Sequence, residues 1–165
     1  EAAAESPFHG RIADSVVPQI DRLFDDGWTG EERKVIAELR KILDLPDLDV
    51  AATTVRVPVH TGHSVALHVR TVRPTTLEAI ESALRAAAGV EYRAADGSDR
   101  HPMPLDVEGR DPVLVGRLRA IPGRERGFAL FVASDNLRKG AALNAIQVAA
   151  AFDPDRFGCL LPEPR

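Results

Sequence analysis

The sequence predicts an α+β fold: a mixed, mostly antiparallel sheet covered by helices on one face. Two segments, 29–43 and 74–89, place apolar residues at helical spacing, while the runs between and after them alternate with period two or are continuously apolar. Helices and strands do not follow the regular alternation that a doubly wound parallel sheet demands. Aromatic residues are only 5% of the 165, so Val, Leu, Ile and Ala must fill the core.

The elements follow in order. Thr29 is an N-cap, Glu32 completes a capping box, and Val35, Ile36, Leu39, Ile42 and Leu43 form one apolar stripe that Pro46 ends. Residues 50–59, and Val65, Leu67 and Val69 after them, read as two strands joined by a tight turn through His60, Thr61, Gly62 and His63. Pro74, Thr75 and Thr76 open a second helix with Leu77, Ile80 and Leu84 on one face, closed by Gly89, where a left-handed residue is needed. Residues 90–93 read as a short strand, and a loop with Asp96, Gly97, Pro102, Pro104 and Gly109 follows. Val113, Val115 and Leu118 mark a strand, 122–127 a turn, and 128–133 a buried strand. Asp135 and Asn136 lead into a helix near 140–152. The tail, with Pro154, Pro162 and Pro164, reads as irregular.

Composition sets outer limits on function. At 17.9 kDa, with 44% hydrophobic and 28% charged residues, the chain reads as one domain over 1–165, with 1–11 and 153–165 as irregular arms. A net charge of −4 argues against nucleic acid, whose binding needs basic surface. A single cysteine, Cys159, excludes an intramolecular disulfide and a cysteine-based metal cluster, and no metal is expected. No apolar run is long enough to span a bilayer, and 1–6 lack the pattern of a secretory signal, so a soluble, cytoplasmic protein is expected. The start at Glu1 rather than Met is what a processed or excised chain would show. A sheet this small with apolar residues on both faces is most simply closed by dimerisation.

No phosphate loop, dinucleotide glycine fingerprint, metalloprotease His pair or nucleophile elbow occurs. Polar chemistry gathers at two other places. Arg56, His60 and His63 lie around the expected turn, and Glu31, Glu32 and Lys34 occupy the first turns of the first helix. A histidine exchanges protons near neutral pH, an arginine grips a carboxylate through two hydrogen bonds, and a Glu with a Lys can receive an ammonium and an anion. Such a set suits a zwitterionic acidic substrate. A structural reading stands beside it: Glu31 and Glu32 answer the helix macrodipole, Lys34 is solvated, and the histidines are turn residues. Arg56 is less easily dismissed, because a guanidinium leaving water needs a partner or faces a site. On the functional reading, the guanidinium and the imidazole come from opposite arms of one hairpin and converge, with the helix start, on a single anionic ligand.

The run 55–64, VRVPVHTGHS, resembles the active-site strand and turn of the aspartate-semialdehyde dehydrogenases, and 134–145, SDNLRKGAALNA, resembles a second motif of that family. Val17 to Asp21, Glu31 to Lys34, Arg40 to Leu43, Pro104 with Leu105, and Gly109 to Asp111 match in the same order. The resemblance runs from Ile12 to about Ala149 and covers only the family's C-terminal catalytic and dimerisation half. It implies the fold of the C-terminal domain of the semialdehyde and glyceraldehyde-3-phosphate dehydrogenases. It also implies NADPH-dependent reduction of aspartyl phosphate through a thioacyl intermediate on a cysteine. His63 is then the acid/base, Arg56 holds the substrate carboxylate, Glu31 receives the amino group, Lys34 helps bind phosphate, and Asn136 lies beside the nucleophile and nicotinamide.

The resemblance also has gaps. The nucleotide-binding domain and nucleophilic cysteine of the family precede the matched part. The chain is therefore expected to need no cofactor alone, to use NADP only when complemented, and not to be redox-competent alone. Cys159 does not match the nucleophile's motif. Asp14 and Ser15 stand where the family usually has Phe and Asn, and His60 stands where an aromatic residue is common, adding a second titratable group. Three readings remain open: the C-terminal half of a dehydrogenase, a free-standing non-redox enzyme that reuses the acidic-substrate pocket with His63, and a non-catalytic dimerisation module. A homodimer and a small acidic or amino-acid-like substrate are the expected partners, with neither nucleic acid nor membrane.

Overall fold

A computed structural model describes residues 8, 10–94 and 101–161. Asp96, Gly97, Pro162, Pro164 and the segment 1–6 lie outside the described residues. The chain divides into two compact units, Glu1–Val59 and His60–Arg165.

The first unit is organised by helix α1, Gly30–Ile42. Thr29 adopts extended φ/ψ and its hydroxyl accepts the Glu32 N–H, while the Glu32 carboxylate accepts the Thr29 N–H at 2.9 Å. This is the expected capping box. The helix ends before Pro46, with Asp44 in the left-handed region (φ 52°) and the Leu45 N–H on the Arg40 carbonyl at 2.9 Å. Asp14, one of the departures from the family pattern, sits on an exposed turn (φ 58°) and pairs with Arg11 at 3.1 Å.

The second unit carries the sheet. Its strands are β1, His63–Arg70; β2, Val90–Arg93; β3, Val113–Ala120; and β4, Gly127–Ser134. Their order is β1-β4-β3-β2, with β2 and β3 parallel and the other pairs antiparallel. Helix α2, Leu77–Ala86, is capped by Thr76, and Gly89 beyond it takes the expected left-handed conformation (φ 75°). Leu77, Ile80 and Leu84 of α2 pack on Val115, Phe128 and Leu130. On the opposite face Leu114 and Ala133 cluster with Val107, which follows the short 3₁₀ turn Pro104–Asp106. The same face presents Ser64, Ala66 and His68 of β1 to solvent and Phe131 of β4 half-buried. The mixed α+β architecture is as expected.

One expected element does not form. Residues 50–59 are not the hairpin partner of β1, which pairs instead with β4 in register from His63↔Ser134 to Arg70↔Gly127. The 50–59 segment makes a single antiparallel bridge, Arg56 to Val17, with N···O distances of 2.8 and 3.0 Å. Pro58 has no N–H to offer a ladder, and the Val59 N–H turns back onto the Val57 carbonyl at 2.9 Å, which breaks the run just before the turn. Period-two alternation identifies a strand but not its partner, and the more buried β4 offers β1 the larger apolar surface.

The C-terminal part also differs from expectation. A π-helical turn, Arg138–Ala142, precedes helix α3, Leu143–Phe152. The region after Asp153, expected to be irregular, forms a single turn, α4, Pro154–Phe157, and then a 3₁₀ turn, Gly158–Leu160. Asp153 caps the Arg156 N–H at 3.1 Å and Pro154 occupies the first helical position, where its missing N–H costs nothing. None of the described helices is long and apolar enough to cross a membrane.

Leu114 is fully buried and joins β3 to the Val107 cluster. Leu114→Ala should lower unfolding free energy by about 2–5 kcal/mol in urea denaturation. Val72→Ala, at a side chain 89% exposed, should change it by no more than about 0.5 kcal/mol.

Candidate functional site

In the first unit the capping box sets the start of α1 and with it Glu31 and Lys34. Glu32 is buried, and its second oxygen accepts the Thr54 N–H at 3.0 Å, so both oxygens are committed to main-chain donors. Those bonds, first Thr29 and then Thr54, hold its carboxyl below the usual range against the opposing effect of burial. Glu32 is therefore structural. Glu31 and Lys34 instead form an exposed pair, with Nζ 3.4 Å from both carboxylate oxygens. An exposed pair this long contributes about 0.2–1 kcal/mol, so an incoming ammonium or anion can separate its members at little cost.

Arg56 is half-buried, its backbone bridged to Val17 and its guanidinium 4.6 Å from the centroid of the Phe8 ring. Among the described residues it has no carboxylate partner. A shallow hollow on α1, lined by Trp28, Arg33, Ile36, Ala37 and Arg40, includes neither Glu31, Lys34 nor Arg56. Its two guanidiniums are already bonded, Arg33 to Asp26 at 2.6 Å and Arg40 to the Leu48 carbonyl at 3.1 Å.

In the second unit His60 and His63 are both exposed, His63 as the first residue of β1 opposite Ser134. Between them Gly62 takes φ 97° and donates its N–H to Asn136 Oδ1 at 2.9 Å. A Cβ on Gly62 would lie 2.9 Å from Val107 Cγ2 and 3.1 Å from the Ser134 carbonyl oxygen. Only glycine fits there. The structure thus joins the His60–His63 turn to Asn136, residues 74 apart in sequence from Gly62 to Asn136.

The sequence places Asp135 ahead of a helix but does not show what it bonds. This carboxylate is 3% exposed and accepts the Gly109 N–H at 2.8 Å, the Leu137 N–H at 2.8 Å and the Arg138 N–H at 3.2 Å. These bonds, Gly109 first, hold its carboxyl below the usual range although burial opposes them. An Asp two and three residues ahead of free helix-start N–H groups is a recognisable signal for the local bonds, but nothing in sequence pointed to Gly109. Arg138 also pairs with Asp111, which ties the same two segments again. Cys159 is an exposed free thiol.

A four-stranded mixed sheet, flanked by helices and with the His60–His63 turn latched to the loop after β4, defines an α+β domain. Residues 1–139 match the family model for the semialdehyde dehydrogenase dimerisation domain, and the chain belongs to that family. It is 46% identical over 145 residues to the aspartate-semialdehyde dehydrogenase of Bacillus subtilis, covering 87% of this chain and 42% of the relative. The crystal structure of aspartate semialdehyde dehydrogenase II of Vibrio cholerae, complexed with ASA, superposes with a TM-score of 0.87 at 40% identity, over 94% of this chain and 46% of that one. The enzyme from Candida albicans, solved with NADP, gives a TM-score of 0.66 at 29% identity over 84% and 44% of the two chains. The chain spans under half the length of the curated relatives it matches.

Because the folded Glu32 carboxyl titrates below its unfolded value, the unfolded chain takes up the proton first as pH falls. Its contribution is complete above the usual carboxylate range and is lost as pH drops through the depressed folded value. In urea unfolding from pH 7 to pH 3, Glu32→Gln should be less stable than the unsubstituted chain at pH 7. The gap should close toward pH 3; a constant gap would refute the assignment.

Proposed function

We propose that this chain is the substrate-binding and dimerising part of an aspartate-semialdehyde dehydrogenase, the enzyme that reduces aspartyl phosphate to the semialdehyde with NADPH. The observation that carries the reading is the 46% identity over 145 residues to a relative of that name; Arg56, Glu31, Lys34 and His63 stand where the motif resemblance implies the family's substrate-side residues. The resemblance supplies the roles, and the local chemistry agrees with them. Arg56, half-buried without a described carboxylate, suits the substrate carboxylate; Glu31 suits the amino group and Lys34 the phosphate. The exposed His63 imidazole suits proton transfer, with His60 as a second candidate.

NADPH, when bound, supplies the hydride. Asn136 is the residue of this chain implied toward the nicotinamide. Its Oδ1 is committed to the Gly62 N–H, which orients the amide and leaves the Nδ2 donors for a carbonyl oxygen, so the residue fits that group. Cys159 lies beyond the family match and is not assigned the thioacyl chemistry.

We also propose a homodimer formed through the sheet face opposite α2. The family description supports it, as does the row of Ser64, Ala66 and His68 that this face leaves exposed beside Phe131.

Two measurements test these readings. Calorimetric titration with an aspartate-like carboxylate should show affinity falling about tenfold or more in Arg56→Ala, with only partial recovery in Arg56→Lys because an ammonium cannot form the fork. Equal affinity in all three proteins would defeat the assignment. In sedimentation, Ala66→Asp should shift the chain from dimer to monomer, since it places a charge on the proposed contact. A dimer of unchanged strength would place the interface elsewhere.

A further inference from the structure

We infer that Asp135 is a positioning residue for the turn that presents His63, acting from two sides of Gly62. The inference rests on the proposed acid/base role of His63 and adds what holds that residue in place. Among the described residues the His63 imidazole makes no hydrogen bond, so its position is set by the main chain and not by a third group gripping the ring. The adjacent residue, Gly62, is where the main chain is held.

One side of the hold is direct. Asp135 Oδ1 gathers the Leu137 and Arg138 N–H groups at 2.8 and 3.2 Å and so shapes the turn in which Asn136 lies. Asn136 Oδ1 then receives the Gly62 N–H at 2.9 Å. The other side runs through the remaining carboxylate oxygen. Oδ2 takes the Gly109 N–H at 2.8 Å and anchors the segment that carries Val107. Val107 is fully buried and fills the space where a Gly62 side chain would be. One carboxylate therefore fixes both the donor's partner and the wall against which the glycine rests. Adjacent Cα atoms are about 3.8 Å apart, so a slip at Gly62 passes almost undiminished to His63.

The test uses the full chain with four variants: Asp135→Asn, Asp135→Glu, Asn136→Ala and Asn136→Asp. Native-state amide exchange at Gly62 and the ring resonances of His63 are followed by NMR. Asn136→Ala should speed Gly62 exchange about tenfold or more and move the His63 ring signals, whereas Asn136→Asp, which keeps the acceptor oxygen, should restore both. Asp135→Asn keeps the Oδ1 acceptor but sets an amide donor against the Gly109 N–H, so it should move both readouts in the Asn136→Ala direction with Asn136 intact. Asp135→Glu, whose longer arm misplaces the acceptors, should do so more weakly. Should Asp135→Asn fail to fold, the Asn136 pair still decides whether the latch reaches His63.

A merely structural carboxylate would lower the unfolding midpoint yet leave native-state Gly62 exchange and the His63 ring signals unchanged. That result would overturn the inference. Titration of the unsubstituted chain with the aspartate-like carboxylate separates this outcome from failure of the functional reading. If the ligand leaves His63 unmoved while the latch variants behave as stated, the positioning inference stands and the substrate assignment falls.

Discussion

A buried carboxylate that accepts three main-chain N–H groups organises the sheet unit where chemistry is expected. Asp135 closes β4, starts the π-helical turn and pins the 104–111 loop in one set of bonds. Removing such a charge from water is unfavourable unless its oxygens find donors, and here main-chain groups supply them. The same bonds satisfy N–H groups at the start of a helical segment that has no other side-chain cap. Stability and placement of the turn thus come from one arrangement.

The first unit repeats the device on a smaller scale. Glu32 gathers the Thr29 and Thr54 N–H groups and, with the Thr29 hydroxyl, sets where α1 begins. Glu31 and Lys34, next on the helix, are left at the surface in a loose pair. In both units a buried acid holds main-chain N–H groups, and candidate residues lie beside it in sequence: Glu31 and Lys34 around Glu32, Asn136 after Asp135.

Local signals were legible where the physics is local. Capping at Thr29 and Thr76 and the left-handed Gly89 depend on a few consecutive residues, and each is found as read. The hairpin from 50–59 to β1 failed for the opposite reason. Pairing is a choice among distant candidates, and Pro58 with the turn at Val59 counted against the near one. The tail departs from the irregular arm expected because Pro154, following Asp153, opens a helical turn. For the candidate residues, sequence pattern and family motifs picked out Arg56, His60, His63, Glu31, Lys34 and Asn136, but they could not separate Glu32 as structural or assign Asp135 its role.

By itself the sequence determined the α+β class, the helix starts, the need for glycine at turns and the family, because these follow from short-range sterics, hydrogen bonding and ordered motifs. Tertiary structure alone decided that β1 lies on β4, that Asn136 meets Gly62, and that Gly109 completes the Asp135 shell. Those contacts join residues 26 or more positions apart. Contacts at such separations depend on how the chain packs, as in the cluster of Val107, Leu114 and Ala133, which no linear pattern records.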